Sequence, residues 1–134
     1  MAIKRMTKDD PAQAFGVFAP VGHVVVGFPD DDTASRAAAE LHEQGFEGAD
    51  VLQYKASEES REMEHRLGGI TGTAEFGHEV VLMRKYKELA DQGCGWLVVY
   101  APEKAQSEKL LEVARQHGAV MAERYGNIVV EDLL

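Results

Sequence analysis

The sequence predicts an α+β fold, a ferredoxin-like sandwich. In this fold two β-α-β units, separated by a helical insertion, form one four-stranded antiparallel sheet. Two observations predict it. Two segments share the same succession of apolar strand, proline, helical stripe and closing glycine, and a shift of 73 positions aligns them without a gap. The chain, residues 1–134, has the size of one domain, so both segments belong to one core.

The alignment of the two segments extends over strand, turn and helix. The shift superposes Val25 on Val98, Val26 on Val99, Pro29 on Pro102, Ala37 on Leu110, Leu41 on Ala114 and Gly45 on Gly118. A single match of this kind arises by chance, whereas matches in four successive features at one shift indicate a duplicated unit.

The first unit begins with a β-branched, apolar strand at His23–Phe28. Asp30 and the acidic residues after it are typical of a helix start, and apolar residues then recur at helical spacing. Gly45 supplies the left-handed residue that closes a helix, and Phe46 is placed to pack back on that helix. The second strand of the unit is predicted at residues 50–56.

The second unit repeats this succession. Its first strand is predicted at 96–101, Pro102 lies at the start of the helix, and Gly118 ends that helix. The last of the four strands is predicted at 120–125. A glycine-asparagine turn follows, so residues 128–131 form either a short extra strand or an extension toward another chain.

The right-handed crossover rule predicts how two such units assemble. The first strand of each unit lies at the centre of the sheet beside its counterpart, and both helices cover one face. The second strand of each unit then forms an edge of the sheet.

The minimal fold leaves two segments over, an N-terminal extension at 1–22 and an insertion at 57–95. Within the insertion, Ser57 is expected to cap a polar helix that lies on the surface. Residues 68–77 are rich in glycine and break regular structure, and residues 78–92 form a more apolar helix.

Period-two alternation along the two central strands predicts an apolar far face. The residues that point away from the helices are His23, Val25, Trp96, Val98 and Tyr100. An antiparallel sheet with one solvated face normally alternates apolar with polar residues, so an aromatic and aliphatic second face requires a cover.

Three covers are consistent with the sequence. The first is the inserted helix or the segment 15–21, which would make the far face ordinary core. The second is another subunit in a symmetric homodimer. The third is a small molecule that lies on Trp96 and Tyr100 with His23 as its polar contact.

Two Glu-x-x-His pairs are the candidate metal ligands, Glu62 with His65 and Glu75 with His78. This spacing places both side chains of a pair on one helical face, as in di-iron carboxylate bundles. Gly77 interrupts the second pair, and the chain spends its central length on strands rather than on a four-helix core. Solvated charges are the favoured interpretation, and no cofactor is expected.

Composition excludes several classes of protein. The chain has 23 acidic and 14 basic residues, and its net charge of -9 repels nucleic acid and anionic membranes. Cys94 is the only cysteine, so the chain forms no internal disulfide. The first twenty residues lack the apolar run of a secretory signal, and no stretch reaches the roughly 18 apolar residues of a membrane span. A cytoplasmic protein is therefore expected.

The stretch 24–56 carries a family resemblance. The strand VVVGFP at 24–29, the acidic turn, the alanine-rich helix, its closing QGF at 44–46 and the strand at Val51 resemble the small domain of bacterial general or heat-induced stress proteins. The resemblance implies a bacterial, stress-associated, non-enzymatic protein and supplies no catalytic residues. The glycine segment at 68–77 departs from the family, whose members carry a longer apolar glycine-alanine hairpin, and this departure argues against a membrane-linked role.

The residues and the resemblance together predict a binding or assembly module that acts as a homodimer and is not an enzyme. The alternative is a small-ligand-binding protein or a metal-dependent enzyme that uses the aromatic sheet face or the histidines of the insertion.

Overall fold

One antiparallel sheet with two helices on each face organises the chain, which is therefore an α+β protein. The structure is a computed structural model and describes residues 21–68, 78–125 and 130–134. Its elements are β1 (His23–Phe28), α1 (Asp31–Glu43), a 3-10 turn (Gly48–Asp50), β2 (Val51–Tyr54), α2 (Ala56–Gly68), α3 (His78–Asp91), β3 (Gly95–Tyr100), α4 (Lys104–Gln116), β4 (Met121–Tyr125) and β5 (Val130–Asp132). Within these ranges no helix has the length and apolar character needed to cross a membrane.

The strand order is β2-β3-β1-β4-β5. The first strands of the two units pair side by side as predicted, in a register that runs from His23 opposite Tyr100 to Phe28 opposite Gly95. The four predicted strands all form, and β5 extends the sheet beyond β4. The prediction of β4 as an edge is therefore wrong, because the chain turns back after β4 and adds the short extra strand, shifted to Val130–Asp132.

The duplication is visible in the helices. Both α1 and α4 have 13 residues, and their first residues are 73 positions apart. Each is followed by a glycine with positive φ, Gly45 at 104° and Gly118 at 72°, a conformation that favours glycine. The matching closing bonds are Phe46 N–H to Leu41 C=O at 3.0 Å and Ala119 N–H to Ala114 C=O at 2.9 Å. The repeated sequence thus produces a repeated helix ending.

The helix starts are also 73 positions apart, at the N-caps Asp30 and Glu103. Asp30 Oδ1 accepts a 2.7 Å hydrogen bond from Thr33 N–H, and this bond lowers the pKa of the Asp30 carboxyl. In the second copy, Gln106 Oε1 accepts from Glu103 N–H at 3.0 Å. The sequence predicted Pro102 at the start of this helix, but Pro102 lies before the cap Glu103, and α4 begins at Lys104.

The face covered by α1 and α4 is the one predicted from alternation. From β1, this core includes Val24, Val26 and Phe28. From β3 it includes Leu97 and Val99, together with Ala101, the residue that follows the strand. Ala37 and Leu41 of α1 and Leu110 and Ala114 of α4 pack against these strand residues. The apolar stripe and the period-two pattern therefore meet in one buried layer.

The end of β2 differs from the prediction. The strand stops at Tyr54 because α2 begins at Ala56, where the Ala56 N–H donates to Asp31 Oδ1 at 2.9 Å. The Lys55 N–H donates to Glu58 Oε1 at 2.8 Å and satisfies another donor at the helix start. Ser57 therefore lies inside the first turn and is not the cap.

Candidate functional site

The far face of the sheet is covered by the chain's own inserted helices. Val25, Trp96 and Val98 are fully buried in a cluster with residues of α2 and α3. The members from the helices are Met63, Leu82, Met83, Tyr86 and Ala90. Of the three covers that the sequence left open, the structure shows the intramolecular one, formed by the inserted helices. A second subunit or a ligand seated directly on these strand residues is incompatible with this packing.

Both inserted helices contribute buried apolar residues that cover the far face of the sheet. Met63 of α2 is completely buried, so α2 packs against the sheet and is not the purely surface helix that the sequence predicted. The apolar stripe of α3 supplies most of the remaining cover. The segment 15–21, the other intramolecular cover considered, lies outside the described residues except for Val21.

Trp96 is a packing residue in this layer. Its ring lies over Gly27, where an added Cβ would be 2.9 Å from Trp96 Cζ3. Tyr86 meets the indole edge-on, with ring centroids 5.4 Å apart. The glycine on β1 thus makes the space that the indole on β3 fills.

His23 and Tyr100 lie together at the end of the two central strands. Their ring centroids are 5.0 Å apart, and His23 is 2% exposed whereas Tyr100 is half-buried. Of the five residues predicted to form a ligand or dimer face, only Tyr100 therefore reaches solvent.

A buried polar group lies beneath the α2–α3 cover, and the sequence did not point to it. The hydroxyls of Tyr86 on α3 and Tyr125 on β4 are 2.7 Å apart and hydrogen-bonded. Glu59 of α2 and Glu123 of β4 are buried close by, and Lys85 Nζ lies 4.0 Å from Glu123 Oε1. We call Tyr86, Tyr125, Glu59 and Glu123 the buried tyrosine–glutamate group.

Burial dominates the electrostatics of this group. It raises the pKa of Tyr86 well above its usual value, and the neighbouring Tyr125, Glu123 and Glu59 raise it further. Burial likewise raises the pKa of Tyr125 strongly, with added repulsion from the two glutamates. Both phenols are therefore neutral at physiological pH and act as hydrogen-bonding groups, not as bases.

The two inserted helices are also joined by polar contacts at their outer side. Asp91 of α3 accepts a hydrogen bond from the Ser60 hydroxyl of α2. Lys87 Nζ lies 2.7 Å from Asp91 Oδ2, and the Lys87 ammonium lowers the pKa of the Asp91 carboxyl. Together with the apolar contacts, these bonds make α2 and α3 one paired cover.

The candidate metal ligands are only partly described. Glu62 and His65 lie on α2, the first half-exposed and the second exposed. His78 is the first residue of α3, and its side chain and the whole of Glu75 fall outside the described residues. Across the described ranges, no three His, Cys, Asp or Glu side chains are grouped to hold a metal ion. The metal site remains a prediction without support from the described geometry.

Cys94 lies in the turn between α3 and β3 and is 4% exposed. Burial raises the pKa of its thiol, and the Asp30 carboxylate adds to the shift. A protonated, buried thiol is a poor nucleophile.

One polar concavity opens on the opposite side of the molecule. It has a volume of about 330 Å³ and is lined by the turn at 44–47, by Asp50, and by Gln106 and Lys109 of α4. We call it the α1–α4 cleft. Gly45, the closing glycine of the first unit, forms part of its wall.

Comparison with known proteins identifies no relative: no family model, no curated protein and no solved structure matches this chain.

Proposed function

We propose that the chain is a cytoplasmic assembly module of the bacterial stress-protein kind, built on a ferredoxin-like sandwich, which acts as a homodimer and not as an enzyme. The strand order β2-β3-β1-β4 and the paired 13-residue helices support the ferredoxin-like assignment. The resemblance at 24–56 supports the stress-protein assignment.

The observation that carries the assembly role is the sheet edge at β2. Within the described residues, β2 pairs only with β3, so its other side ends the sheet. Leu52 and Tyr54 of this strand pack against the core under α2 and α3 and remain partly exposed. An edge strand with exposed apolar surface is a template for pairing with another strand.

The other edge is less suited to self-association. β5 ends at the exposed Asp132, and two copies paired along this edge would bring acidic strands together. Acidic residues on an edge strand are a common device against edge-to-edge pairing. Antiparallel pairing of two β2 strands instead gives one continuous sheet without such repulsion.

This dimer differs from the one predicted from the sequence. The sequence predicts a dimer through the face of Trp96, and α2 and α3 fill that face. In the β2 dimer the aromatic face stays closed, and the two copies meet through strand hydrogen bonds and the side chains at the edge.

Sedimentation equilibrium of the full chain over a range of concentrations tests the proposal. The wild type is expected at twice the chain mass, and Leu52→Lys or Tyr54→Lys at the monomer mass, because a lysine ammonium at the edge opposes pairing. Asp132→Lys on the other edge is the control and stays dimeric. Urea unfolding of each variant shows whether it is folded.

A monomeric wild type at all concentrations refutes the homodimer. A dimer that survives folded Leu52→Lys and Tyr54→Lys variants places the interface elsewhere and refutes the β2 edge.

A further inference from the structure

We propose that the cover formed by α2 and α3 is a site of methionine oxidation. Hydrogen peroxide converts its buried thioethers to sulfoxides, and the sulfoxides detach the two helices from the sheet. The methionines concerned lie in the buried cluster that joins Val25, Trp96 and Val98 to α2, α3 and the β4 residues Met121 and Tyr125, which we call the cover layer. The proposal does not depend on the β2 edge or on the dimer.

The two layers of the core differ in their chemistry. The chain has five methionines, and the three within the described ranges, Met63, Met83 and Met121, are all buried in the cover layer. The only tryptophan, Trp96, and the only cysteine, Cys94, are buried in the same layer. The buried core residues described beneath α1 and α4 are valine, leucine, phenylalanine and alanine. The side chains that oxidise readily are therefore concentrated on one side of the sheet.

The three methionines come from the three surfaces that meet in the cover layer. Met63 belongs to α2, Met83 to α3 and Met121 to β4, and none is more than 4% exposed. A Cβ added at Gly27 would be 2.9 Å from Trp96 Cζ3 and 3.2 Å from Met121 Cγ, so Met121 and the indole lie side by side over this glycine. A sulfoxide at any of the three positions would therefore disturb the contact between the helices and the sheet.

The reaction at each sulfur is a two-electron oxidation. The O–O bond of the peroxide breaks, one oxygen atom bonds to the thioether sulfur, and the other leaves as water. The product is a sulfoxide, which is polar and accepts hydrogen bonds, whereas the thioether is apolar. Burying a polar group among apolar side chains costs free energy that exposure to water does not. The oxidised side chains therefore favour the detached position of the helices.

Peroxide reaches the buried sulfurs when the cover opens, and buried charge favours this opening. The two buried carboxylates of the described residues, Glu59 of α2 and Glu123 of β4, both lie under the cover. The helices α1 and α4 instead bury the neutral hydroxyls of Thr33 and Ser107. Opening returns the carboxylates to water and offsets part of the apolar contact that is lost. We therefore expect α2 and α3 to open locally while α1 and α4 stay packed.

The fluorescence of Trp96 tests the proposal, because this single tryptophan is fully buried in the cover layer. The full chain is treated with hydrogen peroxide, and peptide mass spectrometry locates each added oxygen atom. Oxidation of Met63, Met83 and Met121 is expected to shift the Trp96 emission to longer wavelength and to increase its quenching by acrylamide. Hydrogen exchange should show lost protection in α2 and α3 and retained protection in α1 and α4.

Enzymatic reduction tests whether the sulfoxides themselves cause the change. Methionine sulfoxide reductases remove the added oxygen as water while a dithiol is oxidised to its disulfide. This treatment is expected to return the Trp96 emission to its original wavelength.

Variants separate the buried thioethers from other sites of oxidation. The combined variant Met63→Leu, Met83→Leu and Met121→Leu keeps side chains of similar volume but has no sulfur at these positions. Its Trp96 emission should not respond to peroxide. Met6→Leu, outside the described residues, and Cys94→Ala are the controls and should respond as the wild type does.

Sulfoxides at Met63, Met83 and Met121 without a change in Trp96 emission overturn the proposal. Oxidation of these residues only at urea concentrations that also unfold α1 and α4 overturns it as well, as does a triple leucine variant that responds like the wild type. If the triple variant does not fold, the wild type decides, since an emission that stays shifted after reduction of the sulfoxides overturns the proposal. None of these measurements reports the mass of the particle, so their failure leaves the dimer proposal unaffected.

Discussion

The hydrogen bond between Tyr86 and Tyr125 offers a quantitative test of the α2–α3 cover. Their hydroxyl oxygens are 2.7 Å apart in a buried layer. Tyr86→Phe or Tyr125→Phe removes one hydroxyl and leaves the other buried without this bond, at a cost of about 1–3 kcal/mol in the free energy of unfolding. The double variant removes both hydroxyls and is expected to cost no more than the larger single change.

A double-mutant cycle isolates the coupling between the two hydroxyls, which we expect at about 1–2 kcal/mol. Urea unfolding followed by circular dichroism gives each free energy, and an unchanged m-value shows that the denatured state is comparable across the variants. Additive effects, within about 0.5 kcal/mol, would refute the reasoning, because they would mean that the two hydroxyls do not depend on each other.

The same pair predicts a dependence on alkaline pH. The pKa of each tyrosine is raised in the folded state, chiefly by burial, above the value of about 10 in the unfolded chain. Their contribution to stability is complete below about pH 10. It is lost as the pH rises further, at about 1.4 kcal/mol per pH unit for each tyrosine, because only the unfolded chain releases the protons. The double phenylalanine variant should lose this part of the pH dependence.

Two further substitutions, followed by urea unfolding, and one thiol titration test the packing elsewhere. Gly95→Ala should destabilise the fold by about 1–3 kcal/mol, because the added Cβ would lie 2.7 Å from the backbone of the first turn of α1. Gly48→Ala, with nothing within 4 Å of the added Cβ, is its control and should be nearly neutral. Asp30→Ala removes the bond to Thr33 N–H and should cost about 1 kcal/mol; a change below the error of the measurement would show that the cap is dispensable. Cys94 should react with a thiol reagent only after unfolding, because it is buried and its pKa is raised; rapid reaction of the folded chain would contradict the structure.

The duplicated units could be predicted because their signals are local. A cap at Asp30, a positive-φ glycine at Gly45 and a β-branched run each depend on a few neighbouring residues, and the second copy repeats them at one spacing. The faces of β1 and β3 followed from alternation alone.

The cover of the far face could not be decided from the sequence. Whether an apolar face meets the same chain, another chain or a ligand depends on long-range packing, which no local pattern encodes. The bond between Tyr86 and Tyr125 joins residues 39 positions apart, and neither belongs to a motif. The end of β2 was misplaced because the Asp31 carboxylate, 25 positions before Ala56, captures the amide that begins α2.

The strand order constrains synthesis of the chain on the ribosome. Among the described strands, β1 pairs with β3 and β4, and β2 pairs with β3, so β1 and β2 have no described sheet neighbour in the half of the chain that is made first. α2 and α3 are therefore made before β3 and β4, which supply most of the face that the two helices cover, and Met63 and Tyr86 are expected to be exposed in the nascent polypeptide. A truncated product that ends before β3 should be a target for chaperones and proteases, since its apolar residues cannot be buried without β3 and β4.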